Sequence, residues 1–317
     1  MSEKVLIIKA GYSEFLEQEK DSRQISFGDV LRVTPILYPF RDDDVTWVTD
    51  EKAFPLLEGN DFIKRLLRFD WINAYQLLKE RFDTLINLEK VPGICAFADD
   101  IYSVRRFGFR FDPELRKAKA YDQALEVLTV SSSPESKRRN RRYAQDLLFA
   151  MVGEKWKGEE YILGYKPKKQ ETHDVGLNVR VGHKWPTKAW PIKNWDKLEE
   201  RLEREGVDVS RQDKQSSEVL RDLYSYMDWI NSCRSIITTD SLGLHLALAL
   251  RKKVVALFGP TPHQEVFLYD RGRKVLPPKK FKCAPCFLPK CKNDEYCMEH
   301  LPIDEVFEAF ISLQESQ

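Results

Sequence analysis

The 317-residue sequence lacks the features that mark membrane-spanning proteins and proteins that bind polyanions over their whole surface. Its 51 Lys and Arg residues nearly balance 50 Asp and Glu residues, so the net charge is only +1. No apolar run approaches the roughly 18 residues that span a bilayer. Residues 5–8 are apolar, but Lys9 ends this run, which is too short for a signal peptide. We therefore expect a cytoplasmic protein, with a peripheral position at the inner face of the cytoplasmic membrane as an alternative.

What the chain does have is the length and the element order of a two-domain protein. A chain of 317 residues is longer than a single hydrophobic core usually supports, and it fits two domains of roughly 150 residues each. Lys, Gly and Pro are enriched at 153–170, so we expect one domain at 1–160 and another at 161–317. In both halves short apolar strands alternate with helical segments. This order predicts an α/β fold, with two Rossmann-like domains that each contain a parallel sheet and face a central cleft.

The long charged segment at 115–151 predicts helix, with a break near residues 131–134. Further along the chain, residues 217–227 predict another helix.

Residues 235–261 are the most informative segment. An apolar strand leads into the polar turn Asp240 and Ser241, which is followed by an apolar helix, a second strand and a second polar turn with Gly259 and Thr261. The first turn joins the carboxyl end of a strand to the amino end of a helix, where free N–H groups and the helix dipole attract anions. Open α/β sheets bind phosphorylated ligands at this edge.

Three motifs in a fixed order give the chain a family resemblance. They are Gly28-Asp29 before a Thr-Pro helix, Thr187-Lys188-Ala189-Trp190-Pro191, and Asp240-Ser241-Leu242-Gly243-Leu244-His245 with residues 255–261. The set resembles glycosyltransferase family 9, the ADP-heptose:lipopolysaccharide heptosyltransferases. Members acting on the inner core commonly have glycine two residues after the aspartate, whereas this chain has Leu242 there and Gly243 next.

The resemblance implies a GT-B fold, with an acceptor-binding domain at 1–160 and a nucleotide-sugar-binding domain at 161–317. It also implies inverting transfer of a sugar, namely heptose from ADP-heptose, onto a lipopolysaccharide core or a related bacterial surface glycan.

A donor site follows from chemistry as well as from the resemblance. A pyrophosphate leaving group gains negative charge in the transition state, which N–H groups at 241–244 and the charge of Lys188 can stabilise. The resemblance implies the same role for Lys188 and a phosphate contact for Thr187. Asp240 is assigned to sugar or ribose hydroxyls or to holding its loop. An N-cap role for Asp240 and Ser241, and a buried role for His245, are alternatives. The predicted donor-binding residues are Thr187, Lys188, Asp240, Ser241, Gly243, His245, Gly259 and Thr261.

Transfer also needs a base for the acceptor hydroxyl, and Asp29, in a glycine turn at a helix start, is the candidate. The proposed catalytic aspartate of the family falls on this position, and a carboxylate can act there without a metal. An N-cap role is the alternative. Glu89 and Lys90, which follow a predicted strand, are candidate acceptor-binding residues, with a solvated strand end as the alternative.

The acidic triplet Asp42, Asp43 and Asp44 precedes a predicted strand. This position favours a polar turn over a metal site.

Four of the six cysteines, Cys283, Cys286, Cys291 and Cys297, lie close together. In a reducing compartment this spacing predicts a closed structural metal site. Zinc is the first expectation. Iron is the alternative, because some bacterial relatives that glycosylate proteins carry a comparable cysteine-ligated iron. Free or disulfide-linked cysteines are a further alternative, while Cys95 and Cys233 have apolar neighbours and predict core residues.

The expected partners are a nucleotide-sugar donor and an anionic glycolipid or glycan acceptor, with no nucleic acid. Basic segments such as 137–142, assigned to the first half, suit docking to an anionic surface or a solvated helix face. Three other functions stay open. They are a GT-B enzyme with another nucleotide sugar or a protein acceptor, a nucleotide-sugar epimerase, and a nucleic-acid-binding protein with a four-cysteine zinc module.

Overall fold

A computed structural model describes residues 2–12, 25–168, 170–217 and 219–315. The chain forms two compact units. The first comprises residues 1–133 and 144–165, and the second comprises residues 134–143 and 166–317. In the described ranges no helix is both long enough and apolar enough to cross a bilayer.

The first unit contains one six-stranded sheet in the spatial order β3-β2-β1-β4-β5-β6. All neighbouring strands are parallel except β5 and β6, which are antiparallel. The apolar residues of β1 are fully buried, as expected for a parallel strand that is covered on both faces. The strands are β1 (Lys4–Ile8), β2 (Asp44–Thr49), β3 (Arg65–Arg68), β4 (Arg81–Asn87), β5 (Tyr102–Asp112) and β6 (Lys117–Ala120).

The helices of this unit connect the strands and cover the sheet. They are α1 (Phe27–Leu31), α2 (Phe54–Leu57), α3 (Trp71–Leu77), α4 (Pro92–Asp100), α5 (Leu125–Ser131) and, after the excursion of α6 (Pro134–Arg139) into the second unit, α7 (Ala144–Met151). A 3-10 helix at Thr34–Phe40 follows α1 and has Pro35 in its first turn.

The prediction of helix from residue 115 onward is wrong at its start. Residues 117–120 form β6 and pair with β5, with Phe109 opposite Ala120. Lysine alternates with alanine in β6, which suits a strand with one exposed face, and charged side chains protect a sheet edge from further pairing. Three helices follow, and α5 ends at Ser131, close to the predicted break.

The basic run at 137–142 belongs with the second unit, not with the first half as predicted. Lys137 of α6 forms an ion pair with Glu265 at 3.5 Å, and its ammonium group lies 4.4 Å from the ring centre of Phe287. These contacts anchor α6 to the second unit.

The second unit contains a five-stranded sheet in the order β11-β10-β9-β7-β8, in which every neighbouring pair is parallel. The α/β prediction is therefore confirmed for both units. The strands are β7 (His173–Asn178), β8 (Val209–Arg211), β9 (Cys233–Thr239), β10 (Lys253–Leu257) and β11 (Gly272–Val275), and the helices are α8 (Ile192–Arg204), α9 (Leu223–Asn231), α10 (Leu242–Ala249) and α11 (Ile303–Glu315).

Helix α9 begins later than the helix predicted at 217–227. Asp222 caps it by accepting a hydrogen bond from the Ser225 N–H, and the Ser225 hydroxyl completes a capping box. The polar pair therefore fixes the helix start.

The register of the second sheet places three strand ends side by side. Asn178 at the end of β7 lies opposite Thr238, and Thr239 at the end of β9 lies opposite Leu257 at the end of β10. The loops that follow β7, β9 and β10 therefore leave the sheet at one edge. This edge is the ligand-binding edge of open α/β sheets.

Candidate functional site

A largely buried ion pair lies just beyond the end of β9. Lys188 Nζ, from the 3-10 helix Pro186–Lys188, donates to Asp240 Oδ2 at 2.9 Å. The two side chains are 17% and 14% exposed. His245 Nε2 lies 4.0 Å from the other Asp240 oxygen. Burial alone would raise the pKa of Asp240, but the charges of Lys188 and His245 outweigh it and hold the pKa well below its usual range.

The first turn of α10 is held by side chains from β7, β9 and α9. Asn178 Nδ2 donates to Thr238 Oγ1 at 2.8 Å and to Ser241 Oγ at 3.0 Å. The Tyr226 hydroxyl donates to Asn178 Oδ1 at 2.6 Å. Gly243 lies directly against this network, because a Cβ there would be 2.3 Å from Asn178 Nδ2 and 2.7 Å from the Tyr226 oxygen. The glycine is therefore required for the close approach of Asn178 and Tyr226.

An N-cap role was the alternative for Asp240 with Ser241 and for Asp29, and the structure shows which residue caps each helix. Ser241 occupies the N-cap position of α10, but its side chain makes no cap hydrogen bond there, and Asp240 precedes it. Asp29 lies in the first turn of α1 beside Gly28, at a helix start as predicted, but the N-cap position is Ser26, so the N-cap alternative for Asp29 is wrong. The Asp29 carboxylate is 48% exposed and lies 3.7 Å from the Arg32 guanidinium.

Other predicted donor residues are packed inside the second unit. Thr187 Oγ1 donates to the Leu288 carbonyl at 2.7 Å. Gly259 lies against Met298, because a Cβ at Gly259 would be 2.4 Å from the Met298 sulfur. Thr261 is 4% exposed and His245 is 6% exposed, so both side chains are buried.

Tyr296 is a residue of this region that the sequence did not reveal. Its hydroxyl shares its one proton between the carbonyl oxygens of Thr187 and Ala189, the second at 3.1 Å. These carbonyls flank Lys188 on both sides. Asn178 and Tyr226 were also missed. An asparagine at the end of an apolar strand could have signalled Asn178, whereas the sequence around each tyrosine carries no such signal.

The four C-terminal cysteines line one cavity of about 330 Å³, together with Arg138, Thr187 and Tyr296. In the described part of the chain, no three or more His, Cys, Asp or Glu side chains are arranged to hold a metal ion. All six cysteines are free thiols, so the disulfide alternative is not seen among the described residues.

Burial raises the pKa of some of the thiols and so lowers their reactivity. It raises the pKa of Cys297 to about 11 and that of Cys233 to about 12. Cys95 and Cys233 are fully buried, which confirms them as core residues.

The first unit encloses one of the two predicted acceptor contacts. Glu89 is 1% exposed, accepts a hydrogen bond from the Gly11 N–H at 2.6 Å and pairs with Lys9 at 3.0 Å. The solvated strand end predicted as an alternative is therefore wrong for Glu89. Lys90 is half-buried, and its Nζ donates to Ser131 Oγ at 2.9 Å.

The acidic triplet forms a polar turn, as predicted. Asp42 is exposed, Asp43 Oδ1 accepts a hydrogen bond from the Glu3 N–H at 3.0 Å, and Asp44 begins β2.

Comparison with known proteins gives one family match. Residues 166–297 match the model of glycosyltransferase family 9 (heptosyltransferase). Curated protein sequences gave no significant match.

Among solved structures, the chain is similar to heptosyltransferase WaaC from E. coli with ADP, at a TM-score of 0.66 and 13% identity, with 98% of this chain and 99% of that chain covered. It is also similar to ADP-heptose lps heptosyltransferase II from E. coli, at a TM-score of 0.66 and 16% identity, with 99% and 100% covered. A third similar structure is the iron-containing dodecameric glycosyltransferase TibC from enterotoxigenic E. coli, at a TM-score of 0.59 and 12% identity. The match covers 99% of this chain and 77% of that chain. At these identities the likeness concerns the fold, and the predicted GT-B fold is confirmed.

Proposed function

Because the chain carries a glycosyltransferase family 9 (heptosyltransferase) domain at residues 166–297, we propose that it is an inverting glycosyltransferase that moves a heptose from ADP-heptose onto a lipopolysaccharide core or a related bacterial surface glycan. The observation that carries this proposal is the Lys188–Asp240 pair beside the first turn of α10. The similar WaaC structure holds ADP, which supports a nucleotide-sugar donor for this chain.

The second unit supplies the groups that stabilise the leaving nucleotide. Negative charge grows on the pyrophosphate as the glycosidic bond breaks. Lys188 supplies a positive charge, and the N–H groups at the start of α10 supply donors aligned with the helix dipole. Asp240 holds Lys188 in place at 2.9 Å, and this pairing reduces its repulsion of a phosphate. Ser241 and His245 border the same turn and are proposed to contact the donor.

The four other proposed donor residues act mainly by shaping the loops. Gly243 and Gly259 leave room for the side chains packed against them. Thr187 gives its hydroxyl proton to the Leu288 carbonyl, so toward a phosphate it can donate only if that bond breaks. Thr261 completes the wall after β10.

The first unit supplies the proposed base. The Asp29 carboxylate takes the proton of the acceptor hydroxyl while that oxygen attacks the anomeric carbon. The bond between this carbon and the phosphate oxygen breaks, ADP leaves with the bonding electrons, and the configuration inverts. A half-exposed carboxylate can perform this step without a metal. Lys90 is the proposed acceptor contact, whereas the buried Glu89 binds Lys9 and the Gly11 N–H inside the unit.

We also propose that the four cysteines hold one structural metal ion, with zinc first and iron as the alternative. They line one cavity, and the similar TibC is described as iron-containing. Elemental analysis of protein purified without chelators is expected to find about one zinc or iron per chain, since four thiolates complete a tetrahedral site. Cys291→Ser is expected to lower that content. Metal-free protein with normal stability would contradict the assignment.

The donor assignment is tested with a thermal-shift panel of ADP-, UDP-, GDP- and CMP-sugars on wild type, Lys188→Ala and Lys197→Ala. Lys197 is exposed on α8 and is the matched control. An ADP-sugar at a hundred times its Kd stabilises a folded protein by about 2.7 kcal/mol. We expect this shift in wild type and Lys197→Ala and its loss in Lys188→Ala. No response to any nucleotide sugar would contradict the proposal, and rapid epimerisation of the donor without acceptor would instead support an epimerase.

A further inference from the structure

One hydroxyl joins the donor region to the loop that carries the cysteines. We call residues 282–297 the cysteine loop. The Tyr296 hydroxyl in this loop donates to the carbonyl oxygens of Thr187 and Ala189, the residues immediately before and after Lys188. The peptide that carries Lys188 is thus tied at both ends to a segment more than a hundred residues away along the chain.

Other contacts of the cysteine loop reach the same region. The ring centres of Phe287 and Trp185 lie 4.8 Å apart, with the ring planes tilted by 46°. Lys188 Nζ lies 5.7 Å from the centre of the same Trp185 ring. The Phe287 N–H donates to the Pro260 carbonyl at 2.6 Å. The loop therefore touches both turns that border the ion pair, the one with Lys188 and the one after β10.

A lysine needs this kind of support to act on a phosphate. Its side chain has four rotatable bonds, and an unrestrained ammonium group loses much of its stabilising effect to conformational entropy. Asp240 fixes the end of the side chain, while its backbone is fixed only by the short 3-10 helix Pro186–Lys188 and by what packs against it. The Tyr296 hydroxyl bonds to the backbone carbonyls of the residues on either side of Lys188 and so restrains the backbone at this position.

We propose that Tyr296 is a positioning residue of the donor site, whose hydroxyl holds the Lys188 backbone so that the ammonium group meets the pyrophosphate of the donor. This inference rests on the proposed function. Tyr296 acts through Lys188 and does not touch the donor, so its contribution depends on the presence of the lysine.

The test measures ADP binding by isothermal titration calorimetry in wild type, Tyr296→Phe, Lys188→Ala and the double variant. Tyr296→Phe removes only the hydroxyl and keeps the ring. Tyr75→Phe makes the same change at a ring that is 68% exposed on α3 of the first unit, and it is the matched control. Melting temperatures are recorded for all variants, so that a loss of stability is separated from a loss of affinity.

We expect Tyr296→Phe to weaken ADP binding by about tenfold, because two carbonyls beside the lysine lose their donor. Tyr75→Phe is expected to stay within about twofold of wild type. In the Lys188→Ala background the further effect of Tyr296→Phe is expected to be below about twofold, the signature of a residue that acts through its neighbour.

Three results would overturn the inference. If Tyr296→Phe binds ADP as wild type does, whatever its melting temperature, the hydroxyl does not position Lys188. If Tyr296→Phe weakens ADP binding as much in the Lys188→Ala background as in wild type, Tyr296 acts independently of the lysine. If wild type itself does not bind ADP, the proposed function fails together with the inference, and the wild-type titration distinguishes this case from the other two.

Discussion

Replacing Gly243 by alanine is expected to disturb the donor site from within the helix that forms it. The new methyl group would lie 2.3 Å from Asn178 Nδ2, 2.6 Å from Asn178 Cγ and 2.7 Å from the Tyr226 oxygen. Real contacts to a Cβ are longer than 3 Å, so Asn178 has to move. Its hydrogen bonds to Thr238 and Ser241, and the one it accepts from Tyr226, then weaken together.

The expected loss of stability can be estimated from opposing effects. Alanine is about 0.8–1.0 kcal/mol better than glycine inside a helix. Overpacking a buried site costs about 1–3 kcal/mol, and each weakened hydrogen bond of Asn178 adds about 0.5–1.5 kcal/mol. With three hydrogen bonds of Asn178 affected, the net effect of Gly243→Ala is a destabilisation of about 1.5–6.5 kcal/mol.

Gly93→Ala in α4 is the matched control. A Cβ at Gly93 would meet no atom within 4 Å, and the residue is already helical. Without the steric cost, this change is expected to stabilise the protein by about 0.4–1 kcal/mol.

The assay is urea unfolding of both variants, followed by ADP titration of the folded proteins. We expect Gly243→Ala to lose stability and to bind ADP more weakly, because the first turn of α10 shifts, while Gly93→Ala does neither. If the two variants are equally stable and bind ADP equally well, the close approach of Asn178 to Gly243 is not what holds the donor turn.

Three further perturbations test separate parts of the molecule. Asp240 has a folded-state pKa below its unfolded value of about 3.9, so its ion pair adds stability above that pH and loses it as the pH falls further. The urea-measured difference between wild type and Asp240→Asn should therefore shrink as the pH falls below 4, and a difference that grows below pH 4 would contradict the pairing. Glu89→Ala leaves Lys9 buried without its carboxylate and should lower the free energy of unfolding by about 3–5 kcal/mol, whereas a loss below about 1 kcal/mol would show that the pair is not structural. Cys233, with its pKa raised to about 12 by burial, should resist alkylation at pH 7.5 in the native protein and react only after unfolding, as peptide mass spectrometry can check; rapid native labelling would contradict its burial.

The sequence was most informative where local pattern and final structure coincide. The segment that forms β9, α10 and β10 joins apolar strands and an apolar helix through very short turns, and each element is recognisable from its own residues. Its anion-binding edge follows from strand direction alone. The β5–β6 hairpin was missed because its strands are partly exposed and its alternating lysines also fit a charged helix face.

The site details that the sequence did not reveal depend on distant partners. The Tyr296 hydroxyl reaches a carbonyl 109 positions earlier in the chain, and no local pattern marks that contact. Glu89 looked like a solvated strand end, but Lys9, just after the neighbouring strand β1, and the Gly11 N–H enclose it. Gly243 looked like a shifted phosphate-binding glycine, and its position is explained by the asparagine packed against it.

The most direct test of the central claim is a crystal structure of the protein with ADP bound. We expect phosphate oxygens within hydrogen-bonding distance of Lys188 Nζ and of the N–H groups that begin α10, with the Lys188–Asp240 contact kept. ADP bound elsewhere on the protein, or bound beside α10 with Lys188 turned away from the phosphates, would contradict it.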